Sequence, residues 1–343
     1  MALVQSGRGL VVARAIGAAA VLFSVATAAG AEVVPPRPLE QAPPEPPKSR
    51  FRFPMEGWVV VRYSVLADGR TADVRAIDRM PPGLIDRETL SAVEDWTFEP
   101  ATNDGTPIEW HNNESIVVFD VATIPPETSP IFALAYSEAE NLIKSQELDK
   151  ALTRNETTLA TGTSRLTELG VVLVQNAIIN MARGDLHAAY AAILRATDPR
   201  VPVLGPEELK VALQYRNVLE LELGDAAGAV ATFARRNEIE PVPEGDAMAA
   251  RVAAIEQALG GEAPIAIKAK IAEHYWRHTP TRRTFAIADV NGELDAIQVE
   301  CNRRRAEIPY APDAEWSLPA GWGACSLIIE GHNDTEFLFY EFP

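Results

Sequence analysis

The spacing of the hydrophobic residues changes period twice along this chain, and that change constrains the fold more than any single motif. From Gly57 the apolar residues alternate. In GWVVVRYSVLADGR, Val59, Val61, Tyr63 and Val65 share one face of a strand, while Arg62 and Ser64 take the other. Between Pro130 and Gly260 alanine, leucine and glutamate recur at helical spacing. The last eighty or so residues alternate again, in RTFAIADV, LDAIQVEC, ACSLIIEG and TEFLFYEF. Separate blocks of strand, helix and strand predict an α+β multidomain protein, and 343 residues are too many for one typical domain.

Composition narrows the partners. Hydrophobic residues make up 47% and charged residues 23%, as in ordinary globular protein. The formal net charge of −17 repels phosphate backbones and anionic headgroups, so nucleic acid is not an expected partner. Arg8 and Arg14 precede the apolar run AIGAAAVLFSVATAAGA, which ends in Ala29-Gly30-Ala31. A charged start, an apolar centre and a small-residue end predict a secretory signal over 1–31, cleaved before Glu32, and a periplasmic location. The alternative is an uncleaved inner-membrane anchor facing the periplasm, since the run is only slightly shorter than the ~20 residues of a span. Membrane contact is expected only in that second case.

Residues 32–52 contain most of the eight prolines of 34–54 and predict an extended linker, able to reach roughly 60 Å at ~3.1 Å per residue. A small β-β-α-β domain follows over 53–122. Asp68-Gly69 is a hairpin turn, TADVRAID the return strand, and Asp86 the expected cap of a helix that turns Leu90 and Val93 inward. Trp96 and Phe98 are then placed to close the core, Pro100 to stop the helix, and Asn103-Asp104-Gly105 to turn into the last strand, SIVVFDV. So small a domain is marginal alone and is expected to lean on a neighbour.

Over 130–260 the chain reads as helical hairpins. Their turns centre on Gln146, Gly184 and Gly224, at spacings of 38 and 40 residues. In the last hairpin Gly224 makes the turn, Ala229 the close helix approach, Phe233 the aromatic contact and Pro241 the end. Asp246–Leu259 is the expected covering helix. The alternative is an unrelated helical bundle. Over 264–343 a β-rich domain is expected, with hairpins at Asn291-Gly292 and Asn333-Asp334. Cys301 and Cys325 are the only cysteines. In an exported chain they favour a disulfide tying the two hairpins, and two buried thiols are the alternative.

Residues 53–120 resemble the C-terminal domain of TonB-family proteins. The matching pieces are Phe53-Pro54, Gly57 with VVVRYSV, Asp68-Gly69, VRAI, the hallmark Trp96-x-Phe98-x-Pro100-Ala101, Gly105-x-Pro107 and the strand from Ile116. The helical block resembles a degenerate tetratricopeptide array. The first resemblance implies pairing of the last strand, Ile116, Val117, Val118, Phe119 and Asp120, with an extended peptide of an outer-membrane receptor. The alternatives are a strand without a free edge and pairing with a second copy as a homodimer. It also implies passage of energy from an inner-membrane complex. The apolar run carries Ser24 and Thr27 but no histidine, the spacer is short, and residues 121–343 follow the domain. The expectation is therefore a periplasmic interaction or scaffold module binding envelope proteins, with the anchored transducer as alternative.

Chemistry-bearing patterns are few. In EHYWRH, His274 and His278 would share a helix face at i, i+4, but Tyr275 stands where a zincin has its glutamate, so no metal is expected. Arg303-Arg304-Arg305 is expected to be solvated or salt-paired. The sequence has no phosphate-cradling loop, no Ser/His/Asp signature and no CxxC. Neither an enzyme nor a cofactor is expected.

Overall fold

The computed structural model describes residues 32–45, 56–82, 86–120, 129–161, 165–243 and 245–343. The expected leader, 1–31, lies outside them. The N-terminal module comprises β1 (Val33–Val34), β2 (Arg37–Glu40), β3 (Gly57–Val65), β4 (Thr71–Met80), α1 (Arg87–Glu94), β5 (Thr97–Glu99), β6 (Ala101–Asn103), β7 (Thr106–Ile108) and β8 (Trp110–Phe119). Its main sheet is antiparallel, in the order β4-β3-β8. Val59, Val61, Tyr63 and Val65 pack with Val93, Trp96, Phe98 and Phe119, and Leu90 lies against them. Trp96 meets Tyr63 edge to face at 6.0 Å and donates its Nε1–H to the Ala42 carbonyl at 3.0 Å. Between β6 and β7 the turn is Asp104-Gly105, both with positive φ (49° and 76°), which is the two-residue hairpin geometry that Asp-Gly favours.

Two local expectations need correction. Asp86 stands at the start of α1, but its side chain makes no cap hydrogen bond and pairs with Arg79 at 2.7 Å instead. The described part of the Pro-rich segment, 32–45, is extended but not free, and 46–52 lie outside the described residues. β1 pairs antiparallel with β6, and β2 with β5, so residues 33–40 add strands along the hallmark stretch. Prolines are tolerated because these are edge strands.

Seven helices follow among the described residues: α2 (Pro130–Lys144), α3 (Leu148–Thr161), α4 (Leu166–Arg183), α5 (Leu186–Ala196), α6 (Pro206–Leu223), α7 (Ala226–Ile239) and α8 (Ala247–Leu259). Each of three consecutive hairpins turns at a left-handed residue, Gln146, Gly184 and Gly224, with φ of 61°, 82° and 84°. In the last two, aspartate follows glycine and caps the next helix: Asp185 accepts from Ala188 N and Asp225 from Gly228 N. Ala229 is fully buried at the α6–α7 approach, and α8 packs on α7. Phe233 is only partly buried, lying under Arg236 with its ring centroid 5.9 Å from the guanidinium.

The C-terminal domain holds β9 (Ile265–Lys270), β10 (Tyr275–His278), β11 (Thr284–Asn291), β12 (Leu294–Cys301), β13 (Arg305–Pro309), β14 (Glu315–Ser317), β15 (Cys325–Gly331) and β16 (Glu336–Phe342). They form two sheets, β10-β15-β12-β13 and β14-β11-β16-β9. Phe285, Ile287, Phe337 and Phe339 from one meet Ile297, Val299, Leu327 and Ile329 from the other, making a β-sandwich. The two expected hairpins are therefore not hairpins. Both turns carry the chain from one sheet to the facing one, and β11 pairs with β16 while β12 pairs with β15. Cys301 and Cys325 stand directly opposite on β12 and β15 and are joined by a disulfide, which closes a 24-residue separation within one sheet.

The three parts interlock. Trp58 and Val60, on the second face of β3, pack with Leu169, Val172 and Leu173 of α4 and Phe132 of α2. β3 is consequently buried along its whole length. The helical array meets the sandwich at Gly224, where a Cβ would lie 2.3 Å from the Ala266 carbonyl oxygen.

Candidate partner-binding edge

β8 holds four of the five candidate residues, Ile116, Val117, Val118 and Phe119, and Asp120 follows it, exposed. Its register against β3 is set by Val60↔Ile116, Val59↔Val117, Trp58↔Val118 and Gly57↔Phe119. β8 is the outermost strand of its sheet. Its two halves differ. At the start, His111 N donates to the Asn302 carbonyl at 2.7 Å, and Asn112 Nδ2 donates to the Glu300 carbonyl at 3.1 Å, so the sandwich covers that end. From Ser115 to Phe119 the outer backbone groups have no partner among the described residues.

The side chains of this half are already occupied. Val117 and Phe119 join the core of Trp96 and Phe98, and Ile116 and Val118 face the helical array. An incoming strand would find backbone donors and acceptors but no pockets between alternate side chains. Such an edge gives affinity through the main chain and little side-chain selection.

Below the edge lies a charged junction that the sequence did not announce. Arg62 is 2% exposed; its Nη1 meets Glu300 at 2.5 Å and its Nη2 meets Glu114 at 3.3 Å. Arg75 binds the second oxygen of Glu300. Burial would raise the Glu300 carboxyl, but the Arg75 and Arg62 guanidinium groups hold it below its ordinary value. Arg305 reaches Asp73 at 2.6 Å and Ser64 Oγ at 2.8 Å, so the arginine triplet is salt-paired at this member. On the helical side Arg195 grips Asp78 with two hydrogen bonds of 2.9 and 2.8 Å, and Arg200 binds Glu114 at 2.8 Å. The one available signal was Arg62 itself, a charge within a run of valines. Its partner stands 238 residues away.

His274 and His278 are not on a helix. Glu273 and His274 form a turn with positive φ, and His278 lies on β10. Nε2 of His278 meets Glu341 at 2.6 Å and its ring stacks on Trp276. Among the described residues no three His, Cys, Asp or Glu side chains are grouped to hold a metal. Likewise no described helix is long and apolar enough to cross a membrane.

The antiparallel sheet closed by Trp96 and Phe98 is similar to a TonB C-terminal domain, and helical hairpins follow it. Residues 46–119 match the family described as Gram-negative bacterial TonB protein C-terminal. Protein TonB of Pseudomonas aeruginosa is 33% identical over 69 residues, 20% of each chain, so this chain spans only about a fifth of that relative's length. The solution structure of the Pseudomonas aeruginosa TonB C-terminal domain aligns with 26% of this chain and 90% of its own, at 27% identity and a TM-score of 0.23. The first TPR of Spaghetti, bound to an HSP90 peptide, aligns with 39% of this chain and 97% of its own, at 15% identity and a TM-score of 0.31.

Proposed function

We propose that this TonB-like protein is a periplasmic interaction scaffold of the cell envelope, in which the TonB-like domain is one wall of a larger body and not the mobile tip of an energy transducer. The observation that carries this reading is the seating of residues 33–40 along β5 and β6. A transducer must span a distance between its anchor and its target. Here the first part of the segment that could have given that reach, residues 33–34 and 37–40, is held against the domain as β1 and β2. The buried second face of β3 supports the same reading, because a domain packed on both faces is not free to travel. The edge assigned to a partner is the open half of β8, Ser115–Phe119 with Asp120. The partner this suits is an extended segment of an envelope protein, such as a receptor's periplasmic peptide. The acidic balance of the chain favours a basic one. The role is binding, not catalysis.

Fractionation of the envelope with mass analysis of the mature N-terminus tests this. Release with the soluble periplasm as a chain starting at Glu32 is the expected result. Recovery in the inner membrane with residues 1–31 attached would instead support the transducer.

A further inference from the structure

The residue that export processing would leave first is held by a reciprocal pair of hydrogen bonds. Glu32 N donates to Asp104 Oδ1 at 2.8 Å, and Asp104 N donates to the Glu32 carbonyl at 2.9 Å. From this pair the chain zips along the module. Val33 and Val34 stand opposite Asn103 and Thr102, Arg37 and Pro38 opposite Glu99 and Phe98, and Ala42 accepts from the Trp96 indole.

We propose that Asp104 is a docking site for the α-ammonium group created at Glu32 when the Ala31–Glu32 bond is hydrolysed, and that this contact locks β1 and β2 onto the hallmark segment. The inference rests on the reading that the leader is removed. In the uncleaved chain the Glu32 nitrogen is a neutral amide donor. Hydrolysis by an endopeptidase adds hydroxyl from water to the Ala31 carbonyl carbon and hydrogen to the Glu32 nitrogen. The new amine, with an ordinary pKa near 8, is largely protonated at neutral pH. A charged donor facing a carboxylate at this distance makes the stronger kind of hydrogen bond. Processing thus converts a neutral contact into an ion pair at the outer end of a two-strand zipper. It also gives a reason for aspartate at this place. Asn and Asp serve equally as the first residue of such a turn, but only Asp offers a charge to an ammonium.

That equivalence supplies the test. Asp104→Asn keeps the turn residue and the Oδ1 acceptor and removes only the charge. A second variant adds one glycine before Glu32, which restores the amide and moves the ammonium outward. Mature protein is purified after export, its N-terminal peptide is weighed, and the α-amine is labelled with a limiting succinimidyl ester near neutral pH. The expected result is a chain starting at Glu32 whose amine reacts about two- to fivefold more slowly than in Asp104→Asn, the range of an exposed ion pair. The glycine-extended amine should react as fast as that of Asp104→Asn. A chain retaining residues 1–31 would overturn the proposal and the cleaved reading together. A chain processed at Glu32 whose amine reacts equally in all three proteins, or one processed at another downstream residue, would overturn the docking alone.

Discussion

At the residue scale the structure depends on carboxylates that are buried and answered. Glu300 is held by Arg62 and Arg75 where the sandwich meets the TonB-like sheet. Glu341 is 1% exposed and accepts from His278 Nε2, from the Thr281 hydroxyl and from the amides of Thr281 and Arg282. For both, burial alone would raise the pKa, and the partners hold it below the ordinary carboxylate value instead. A carboxyl whose folded pKa lies below its unfolded one stabilises the fold above the unfolded value, and this contribution is lost as pH falls through the folded value. Stability is therefore expected to decline below about pH 4.5. Glu300→Gln leaves two guanidinium groups facing a neutral amide and should cost about 3 kcal/mol at neutral pH. Urea denaturation across pH checks the sign. The gap between wild type and Glu300→Gln should shrink as pH drops, because protonation of Glu300 produces the same neutral state. A gap that persists unchanged in acid would contradict this account of the pair.

At the element scale, what was legible in the sequence was each element and its turn, and what was not was which element lies beside which. Gln146, Gly184 and Gly224 marked the interhelix turns correctly, because a reversal at those places needs a left-handed residue. Val59, Val61, Tyr63 and Val65 announced the core face of β3, and Trp96 and Phe98 its closure. The turns at Asn291-Gly292 and Asn333-Asp334 misled. In a sandwich, strands before and after a turn point alternate residues to the same core whether they pair or face each other, so the apolar pattern is identical in both cases. The helical turns also give a paired prediction. Gly184→Ala places a Cβ in open space and should cost only the left-handed backbone, about 1–2 kcal/mol. Gly224→Ala carries the same backbone cost and drives a Cβ to 2.3 Å from the Ala266 carbonyl oxygen. Its thermal midpoint should fall clearly further. Equal shifts in the two variants would show that the array and the sandwich are not packed together at this turn.

At the scale of the whole molecule, the candidate site was half legible. Residues 116–120 read as a strand and its end from their apolar run, and the resemblance gave them a role. That the strand is outermost, covered at His111 and Asn112 and open from Ser115, depends on a sandwich nearly two hundred residues later in the chain. No local pattern carries that information. The charged junction, the seated N-terminal strands and the buried face of β3 all tie the TonB-like domain to the rest of the described residues, with the Ser115–Phe119 half of β8 at a sheet edge. The most direct test places a photocrosslinking residue at Asp120, beside that half-strand, and a control at the exposed Gln257 on α8, in the native envelope. A discrete adduct with one envelope protein from position 120, absent from position 257, is the expected result. No adduct from position 120, or the same adducts from both positions, would contradict the claim that this edge is where the protein binds.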